Sequence, residues 1–312
     1  MKRFKNILYV IDGEISEEDH VSKKVESLAR LNNATVKIVR ILDGSYFNSF
    51  ARKFFDPKDS YEQIIREQLE SETSAFTEHN RWQGIPVTSE VLQGKGFISI
   101  IQHVMRHDND LVVKQNLRMA GTGTDNLAMR LLRKCPCPIW LIQPHSSAEY
   151  QRVLAAVDVT TDQEESDHLN RKIIELCHSM AQREKGEAHY LHAWYLRAES
   201  MLTSPRLKVS VDEIQKIKDG IQKDSEEEFS KLFEDAQITP LPEHVHVQEG
   251  DTAEVIKRAI ERLEIDVLIL GTIGRTGIPG LLIGNTAESI ISDISCSLLA
   301  VKPDGFVSPV TL

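Results

Sequence analysis

The sequence predicts an α/β protein of two tandem domains, each a doubly wound, mostly parallel five-stranded sheet flanked by helices. Three observations support this prediction: the chain repeats itself, its apolar runs are short and apolar throughout, and amphipathic segments alternate with them. Alternation of strands and helices gives a parallel sheet with right-handed crossovers. A length of 312 residues also fits two domains of ordinary size.

The first observation is an internal repeat whose register holds with only small insertions. The matching segments are Phe4–Asp12 with Tyr150–Asp158, Gly94–Val113 with Gly250–Ile269, and the two runs that begin at Cys137 and Cys296. In this register Asp110 aligns with Asp266. We therefore predict a duplicated domain that occupies residues 1–146 and 147–312, joined near QPHSSAEY.

The apolar runs predict strands that are buried on both faces, as in a parallel sheet. In the second half these runs are RVLAAVDV, AHYLHAWY, HVHVQEG, DVLILG and SLLAVKP. Between them, Thr252–Leu263 and Asp212–Ala236 place their apolar residues on one helical face. In the first half the corresponding helix carries Tyr61, Ile65, Leu69 and Phe76.

Composition excludes several classes of protein. The net charge is −10, and the 37 basic residues form no concentrated stripe, which argues against a nucleic-acid-binding surface. No run approaches the ~18 apolar residues of a membrane span. The four cysteines are too few for a disulfide framework, so we expect small buried core residues. These features predict a cytoplasmic protein without nucleic-acid or membrane partners.

The stretch GTIGRTGIPGLLIGNTAESII, which begins at Gly271, predicts a ligand site. It follows the strand DVLIL, and in doubly wound sheets ligands bind beyond the carboxyl ends of the strands. Gly271 and Gly274 carry no Cβ, so that a ligand can approach the backbone and φ can be positive.

The same stretch then predicts a helix start. Asn285 is a candidate N-cap, with Glu288 at the spacing of a capping box. The first amides of that helix attract an anion, which predicts a phosphate between Gly271–Gly274 and Gly284–Thr286. The alternative is a capping turn that binds nothing.

The spacing Gly271-x-x-Gly274, nine residues, then Gly284 resembles the nucleotide motif of the universal stress protein (Usp) family, in its tandem-domain UspE type. The resemblance covers both halves of the chain. It implies Rossmann-like domains and a stress-response protein whose second domain binds an adenine nucleotide, ATP or ADP, with Mg²⁺. It also implies a regulatory binding module rather than an enzyme, with a slow ATPase or a nucleotide-independent interaction module as the alternatives.

The resemblance also implies which residues bind the nucleotide. Asp158 would lie near the adenine and ribose, and Gly271 near the ribose and phosphates. The full set is Asp158, Gly271, Thr272, Gly274, Arg275, Gly284, Asn285 and Thr286. Asn285 stands where the family usually has Ser or Thr, and Thr286 is its partial substitute. Arg275 is either a phosphate partner or a solvent-exposed side chain.

The first half keeps Asp12 and the strand framework but has no Gly-x-x-Gly after its fourth strand. We expect this domain to be structural, to pair with the second as an intrachain pseudo-dimer, or to hold a different ligand. For Lys114 we favour a solvent-facing side chain over an anion ligand. Pairing through the final strand, Leu298–Val301, leaves a homodimer of tandem chains as a further alternative; the other protein partners are unknown.

Two other kinds of site find little support in the sequence. His244 and His246 alternate on a predicted strand, with His189 and His192 on another, but a pair falls short of the three or four ligands that zinc requires. We therefore predict no metal ligands. No nucleophile elbow and no Gly-rich loop ending in Lys-Ser/Thr is present, so we predict no catalytic residues.

Overall fold

A computed structural model gives the structure of the protein and describes residues 3–15, 20–42, 61–117, 125–144, 149–159, 164–196, 199–203, 207, 209–272 and 284–312. The chain divides into two compact units. The first unit is Met1–Ala148 together with Phe306–Leu312, and the second unit is Glu149–Gly305. The C-terminal segment belongs to the first unit, where the Gln102 side-chain amide donates to the Thr311 carbonyl at 2.8 Å. The sequence repeat does not predict that residues 306–312 belong to the first unit.

The first unit is a parallel sheet in the order β3-β2-β1-β4-β5. Its strands are β1 (Asn6–Ile11), β2 (Thr35–Leu42), β3 (Val87–Gln93), β4 (Leu111–Gln115) and β5 (Ile139–Ile142). Its described helices are α1 (His20–Asn32), α2 (Tyr61–Thr77), α3 (Gly96–His107) and α4 (Asn126–Lys134), with a 3₁₀ turn at Asn80–Trp82. The central strands are buried on both faces, as their unbroken apolar runs predict.

The second unit repeats this plan in the order β10-β9-β6-β7-β8, again parallel throughout. Its strands are β6 (Arg152–Val157), β7 (Glu187–Trp194), β8 (Val245–Glu249), β9 (Val267–Gly271) and β10 (Ser297–Val301). Its described helices are α5 (Glu164–Glu184), α6 (Glu199–Leu202), α7 (Val211–Ala236), α8 (Thr252–Arg262) and α9 (Asn285–Asp293), with a 3₁₀ turn at Pro242–His244. The predicted α/β fold with two five-stranded, doubly wound sheets is confirmed.

Equivalent carboxylates anchor the first strand of each unit. The Asp110 carboxylate accepts hydrogen bonds from the two backbone amides where β1 begins, at 2.5 and 3.0 Å. The Asp266 carboxylate does the same for the two amides where β6 begins, at 2.6 and 2.9 Å. The register in which Asp110 aligns with Asp266 is therefore a register of structure as well as of sequence.

The cysteines lie where the sequence predicts. All four are buried and none forms a disulfide bond, although the Sγ atoms of Cys135 and Cys137 are 3.6 Å apart. Burial raises the pKa of the Cys296 thiol to about 12, which keeps it protonated and inert at neutral pH. Within the described ranges, none of the helices combines the length and the apolar character needed to span a membrane.

Candidate functional site

The strand order reverses beside β6, which is where a doubly wound sheet opens a crevice for ligands. From β6 the chain moves to β7 and β8 on one side, and later to β9 and β10 on the other. Because β6 and β9 are parallel neighbours, Asp158 after β6 and Gly271 at the end of β9 lie at the same edge. The N-terminus of α9 lies beside this edge, because the Gly284 amide donates to the Thr272 carbonyl. The structure thus brings the described residues that were predicted to bind the nucleotide to the switch point.

Asn170 fixes the backbone where β6 ends. Its side-chain amide donates to the Asp158 carbonyl at 2.7 Å, and its side-chain oxygen accepts from the Asp158 amide at 3.3 Å. This side chain on α5 is buried, so the pair of hydrogen bonds holds Asp158 in a set position at the crevice. Sequence reasoning missed Asn170, because only the contact between α5 and β6 gives it a role.

The absence of a side chain at Gly271 serves the packing of α5. A Cβ at this position would lie 2.9 Å from Cδ2 of Leu169 and 3.7 Å from Cδ1 of Ile173. Gly271 is not among the glycines with positive φ. Gly271 therefore does not use the positive φ that a glycine permits, and it is helix α5 that approaches its backbone closely.

Two amides of the predicted phosphate cradle are already bound by the protein. The Thr272 amide donates to the Val301 carbonyl at 3.1 Å, and the Gly284 amide donates to the Thr272 carbonyl at 2.9 Å. Neither can bind a phosphate. The Thr272 side chain, in contrast, is fully buried and its hydroxyl has no hydrogen-bond partner in the described part of the chain.

The helix α9 begins one residue earlier than a cap at Asn285 would require. Gly284 is the N-cap in an extended conformation, and no side chain of the described residues caps the helix. The predicted capping box with Asn285 as the N-cap is therefore wrong. Gly284 takes this position because its carbonyl accepts the Glu288 amide at 2.9 Å. The amides of residues 285–287 consequently have no intrahelical acceptor. Gly274, Arg275 and the Asn285 side chain lie outside the described residues, and Thr286 is exposed.

The equivalent edge of the first unit contains a buried ion cluster. Lys114 on β4 is fully buried, and its ammonium lies 2.7 Å from the Asp12 carboxylate and in contact with the Asp125 carboxylate. It also donates to the Gln115 carbonyl at 2.8 Å. The expectation of a solvent-facing Lys114 is wrong, because β4 is covered on both faces and a lysine there must find anions within the protein.

Asp125 occupies the place that a phosphate would take at a helix start. One of its oxygens caps α4 by accepting the Leu127 amide at 2.7 Å, while the other contacts Lys114. In the repeat register Asp125 aligns with Gly284, and Lys114 aligns with Leu270. The first unit therefore fills its own helix N-terminus with a carboxylate.

Beside this cluster lies a cavity of about 260 Å³. Its lining includes Asp12, Gly13, Glu14, His20, Phe76 and Gln115. Burial raises the pKa of Asp12, and the nearby Lys114 ammonium opposes that rise. With two carboxylates in its lining and its lysine already paired, this cavity is a poor site for a phosphate.

The four histidines that the sequence analysis considered as metal ligands lie in two places. His189, His244 and His246 come together at the start of β7 and β8, and Glu187 joins them. His244 lies in the 3₁₀ turn before β8 rather than on the strand, which corrects the predicted alternation. His192 is elsewhere, with its Nδ1 3.2 Å from the Val157 carbonyl.

Comparisons with known proteins agree with this architecture. The family model described as "Universal stress protein family" matches residues 3–143 and 149–302. The chain is 29% identical to the universal stress protein E homolog of Haemophilus influenzae, over 96% of this chain and 98% of that protein. It is 27% identical to universal stress protein E of Escherichia coli, over 100% of this chain and 98% of that protein.

A solved structure shows the same fold over both units. It is a putative universal stress protein from Pseudomonas aeruginosa, with a TM-score of 0.70 and 22% identity, and the match covers 97% of this chain and 95% of that chain. The family match itself spans nearly all of both units. The chain therefore belongs to the universal stress protein family.

Proposed function

We propose that the second unit binds an adenine nucleotide, ATP or ADP, accompanied by Mg²⁺, and that the protein acts as a regulatory binding module. One observation carries the proposal: α9 starts at the switch point with no capping side chain, whereas the equivalent α4 is capped by Asp125. The repeat thus offers an uncapped helix N-terminus in one unit and a self-capped one in the other.

The physical basis is the field at the end of the helix. The amides of residues 285–287 have no acceptor within the helix, and the positive end of the helix dipole adds to their attraction for an anion. Thr272 is the residue whose carbonyl accepts the Gly284 amide, so it lies next to the helix start. Its buried hydroxyl has no hydrogen-bond partner among the described residues and provides a donor and an acceptor. Both features suit the phosphate end of a nucleotide.

Asp158 suits the other end of the ligand. It follows β6, and Asn170 holds its backbone at the edge of the crevice. A carboxylate accepts hydrogen bonds from ribose hydroxyl groups, as acidic residues at such edges commonly do. Gly274, Arg275 and Asn285 enter the proposal through the motif. Arg275 would neutralise part of the phosphate charge, and a bound Mg²⁺ ion would offset the remainder.

The test places a carboxylate where the first unit has one. Gly284→Asp would cap α9 from within and set a negative charge against the incoming phosphate, while Asp is compatible with the extended backbone at this position. We expect the affinity of the full chain for Mg·ATP, measured by isothermal titration calorimetry, to fall about 100-fold, or ~3 kcal/mol. The thermal stability should not fall.

Gly220→Asp is the matched control. Gly220 is exposed in α7, and a Cβ there meets no atom within 4 Å. This variant changes the net charge by the same amount and should bind Mg·ATP as the parent chain does. No saturable binding to the parent chain, or equal affinity for Gly284→Asp and Gly220→Asp, would refute the proposal.

A further inference from the structure

A second set of ligand-type side chains lies at the opposite edge of the sheet in the second unit, where β7 and β8 begin. Glu187 and His189 are on the same face of β7, because they are two residues apart on a strand. His246 lies on the neighbouring strand β8, and His244 ends the 3₁₀ turn that leads into it. This edge is distant in the fold from the proposed nucleotide site, which lies where the strands end.

These side chains converge on one point. One ligand atom each from Glu187, His189 and His244 lie within 4.8 Å of one another. The ring centroids of His189 and His244 are 4.5 Å apart, and Nε2 of His189 is 3.5 Å from a carboxylate oxygen of Glu187. Two imidazoles and a carboxylate around one point form a recognised ligand set for zinc, with water in the fourth position.

His189 presents a buried nitrogen that makes no hydrogen bond within the described residues and has only the Glu187 carboxylate, at 3.5 Å, as a neighbouring acceptor there. The side chain is buried, with 5% of the residue exposed, and its Nε2 has no hydrogen-bond partner among the residues that the structure describes. Its other nitrogen, Nδ1, is 3.2 Å from Nε2 of His246. An unpartnered buried nitrogen that faces a carboxylate and a second imidazole needs an explanation.

The contact with His246 can set the tautomer that a metal requires of His189, because Nε2 of His246 lies within hydrogen-bond distance of Nδ1 of His189. If the Nδ1–H of His189 donates to His246, the lone pair on Nε2 points towards Glu187 and His244. A hydrogen bond of this kind from the outer nitrogen orients metal-binding histidines.

The first unit has an ordinary ion pair at the equivalent place. The strand registers align Glu187 with Thr35 at the start of β2, and therefore His189 with Lys37 and His246 with Glu90. The Lys37 ammonium lies 3.2 Å from the Glu90 carboxylate. In the first unit the Lys37 ammonium thus lies at the position where the second unit has the His189 imidazole.

We propose that Glu187, His189 and His244 bind one Zn²⁺ ion, and that His246 orients His189 for this purpose. The ion would supply the positive charge that Lys37 supplies in the first unit. Arg152 competes for Glu187, with its Nε 3.6 Å from the carboxylate, but its closer partner is Glu264 at 2.7 Å. Glu187 can therefore turn to the metal without leaving Arg152 unpaired.

The test is a titration of Zn²⁺ into the full chain after treatment with a chelator. We expect one saturable site per chain in competition with a chromogenic chelator. His244→Ala should remove this site, and Co²⁺ should give the visible absorption of a four-coordinate ion with the parent chain but not with the variant. His246→Phe should weaken binding 10- to 100-fold, because His189 would lose its orienting acceptor.

His168→Ala is the matched control. His168 is exposed and also lies beside a carboxylate, 3.0 Å from Asp304, yet it has no second imidazole in reach of that pair among the described residues. This variant should bind Zn²⁺ as the parent chain does. If His189→Ala fails to fold, His244→Ala and Glu187→Gln still decide the matter, because both side chains are partly exposed. Absence of saturable binding, or equal affinity for His244→Ala and His168→Ala, would overturn the proposal.

Discussion

The two units of this chain have the same strand order and the same helix start at the carboxyl edge, but they use that edge differently. In the first unit the Lys114 ammonium pairs with the Asp12 and Asp125 carboxylates within the protein. In the second unit Leu270 and Gly284 stand at the positions of Lys114 and Asp125, and the helix start has no capping side chain. Two differences on a common framework thus separate the ion cluster of the first unit from the proposed anion site of the second.

The amino edge shows the same contrast. The first unit pairs Lys37 with Glu90, whereas the second places His189 beside His246 at the matching positions. In both cases the first unit carries the counter-charge in its own side chains. Under the two proposals made above, a bound phosphate and a bound Zn²⁺ ion would supply it in the second unit.

The largest effect expected from breaking this contrast is at Lys114. Lys114→Leu gives the first unit the residue of the second, and leaves the half-buried Asp12 and Asp125 carboxylates without their shared cation. Removal of one partner from a buried ion cluster typically costs about 3–5 kcal/mol, and we expect a loss of this size in urea unfolding at pH 7.

The pH dependence of this loss is a further check. Burial raises the pKa of Asp12 and the Lys114 ammonium opposes that rise. Without the ammonium, the folded-state pKa of Asp12 rises further above its unfolded value, so that protonation of Asp12 becomes favourable in the folded state. The stability of Lys114→Leu relative to the parent chain should therefore improve as the pH falls from 7 towards 4. Adding Asp125→Gly should restore part of the stability, since one unpaired carboxylate is removed. A loss below about 1 kcal/mol at pH 7 would contradict a buried, coupled cluster.

The sequence predicts the framework because its signals are local or repeated. Apolar runs and helical periodicity give the strands and helices, and the repeat aligns Asp110 with Asp266 before any contact is known. The sequence does not predict the burial of Lys114, because its partners are distant in the chain or in another element: Asp12 follows β1, and Asp125 is the N-cap of α4. The histidine cluster escapes for a related reason: His189 and His246 are 57 residues apart, and only the pairing of β7 with β8 brings them together. The Gly284 N-cap differs from the predicted Asn285 by one residue, which is within the usual uncertainty of helix ends.

A smaller loss of stability is expected from removing a feature that both units share, the carboxylate that anchors the first strand. Asp110→Ala and Asp266→Ala each remove a carboxylate that accepts two backbone amides at the start of the first strand. We expect each variant to lose about 1–3 kcal/mol in urea unfolding, and the two losses to be similar. A large loss from one and none from the other would show that the anchor is a property of a single unit rather than of the duplicated framework.

The smallest effect concerns Gly271, which aligns with Gln115 in the first unit and could be a glycine for either packing or ligand approach. Gly271→Ala would place a methyl group 2.9 Å from Cδ2 of Leu169, a side-chain end that can move. We therefore expect a cost of only about 1 kcal/mol. In a double-mutant cycle with Leu169→Ala this cost should shrink, because the clashing atom is gone. Additive losses would mean that α5 does not require this glycine, and that the reason for it lies with the nucleotide.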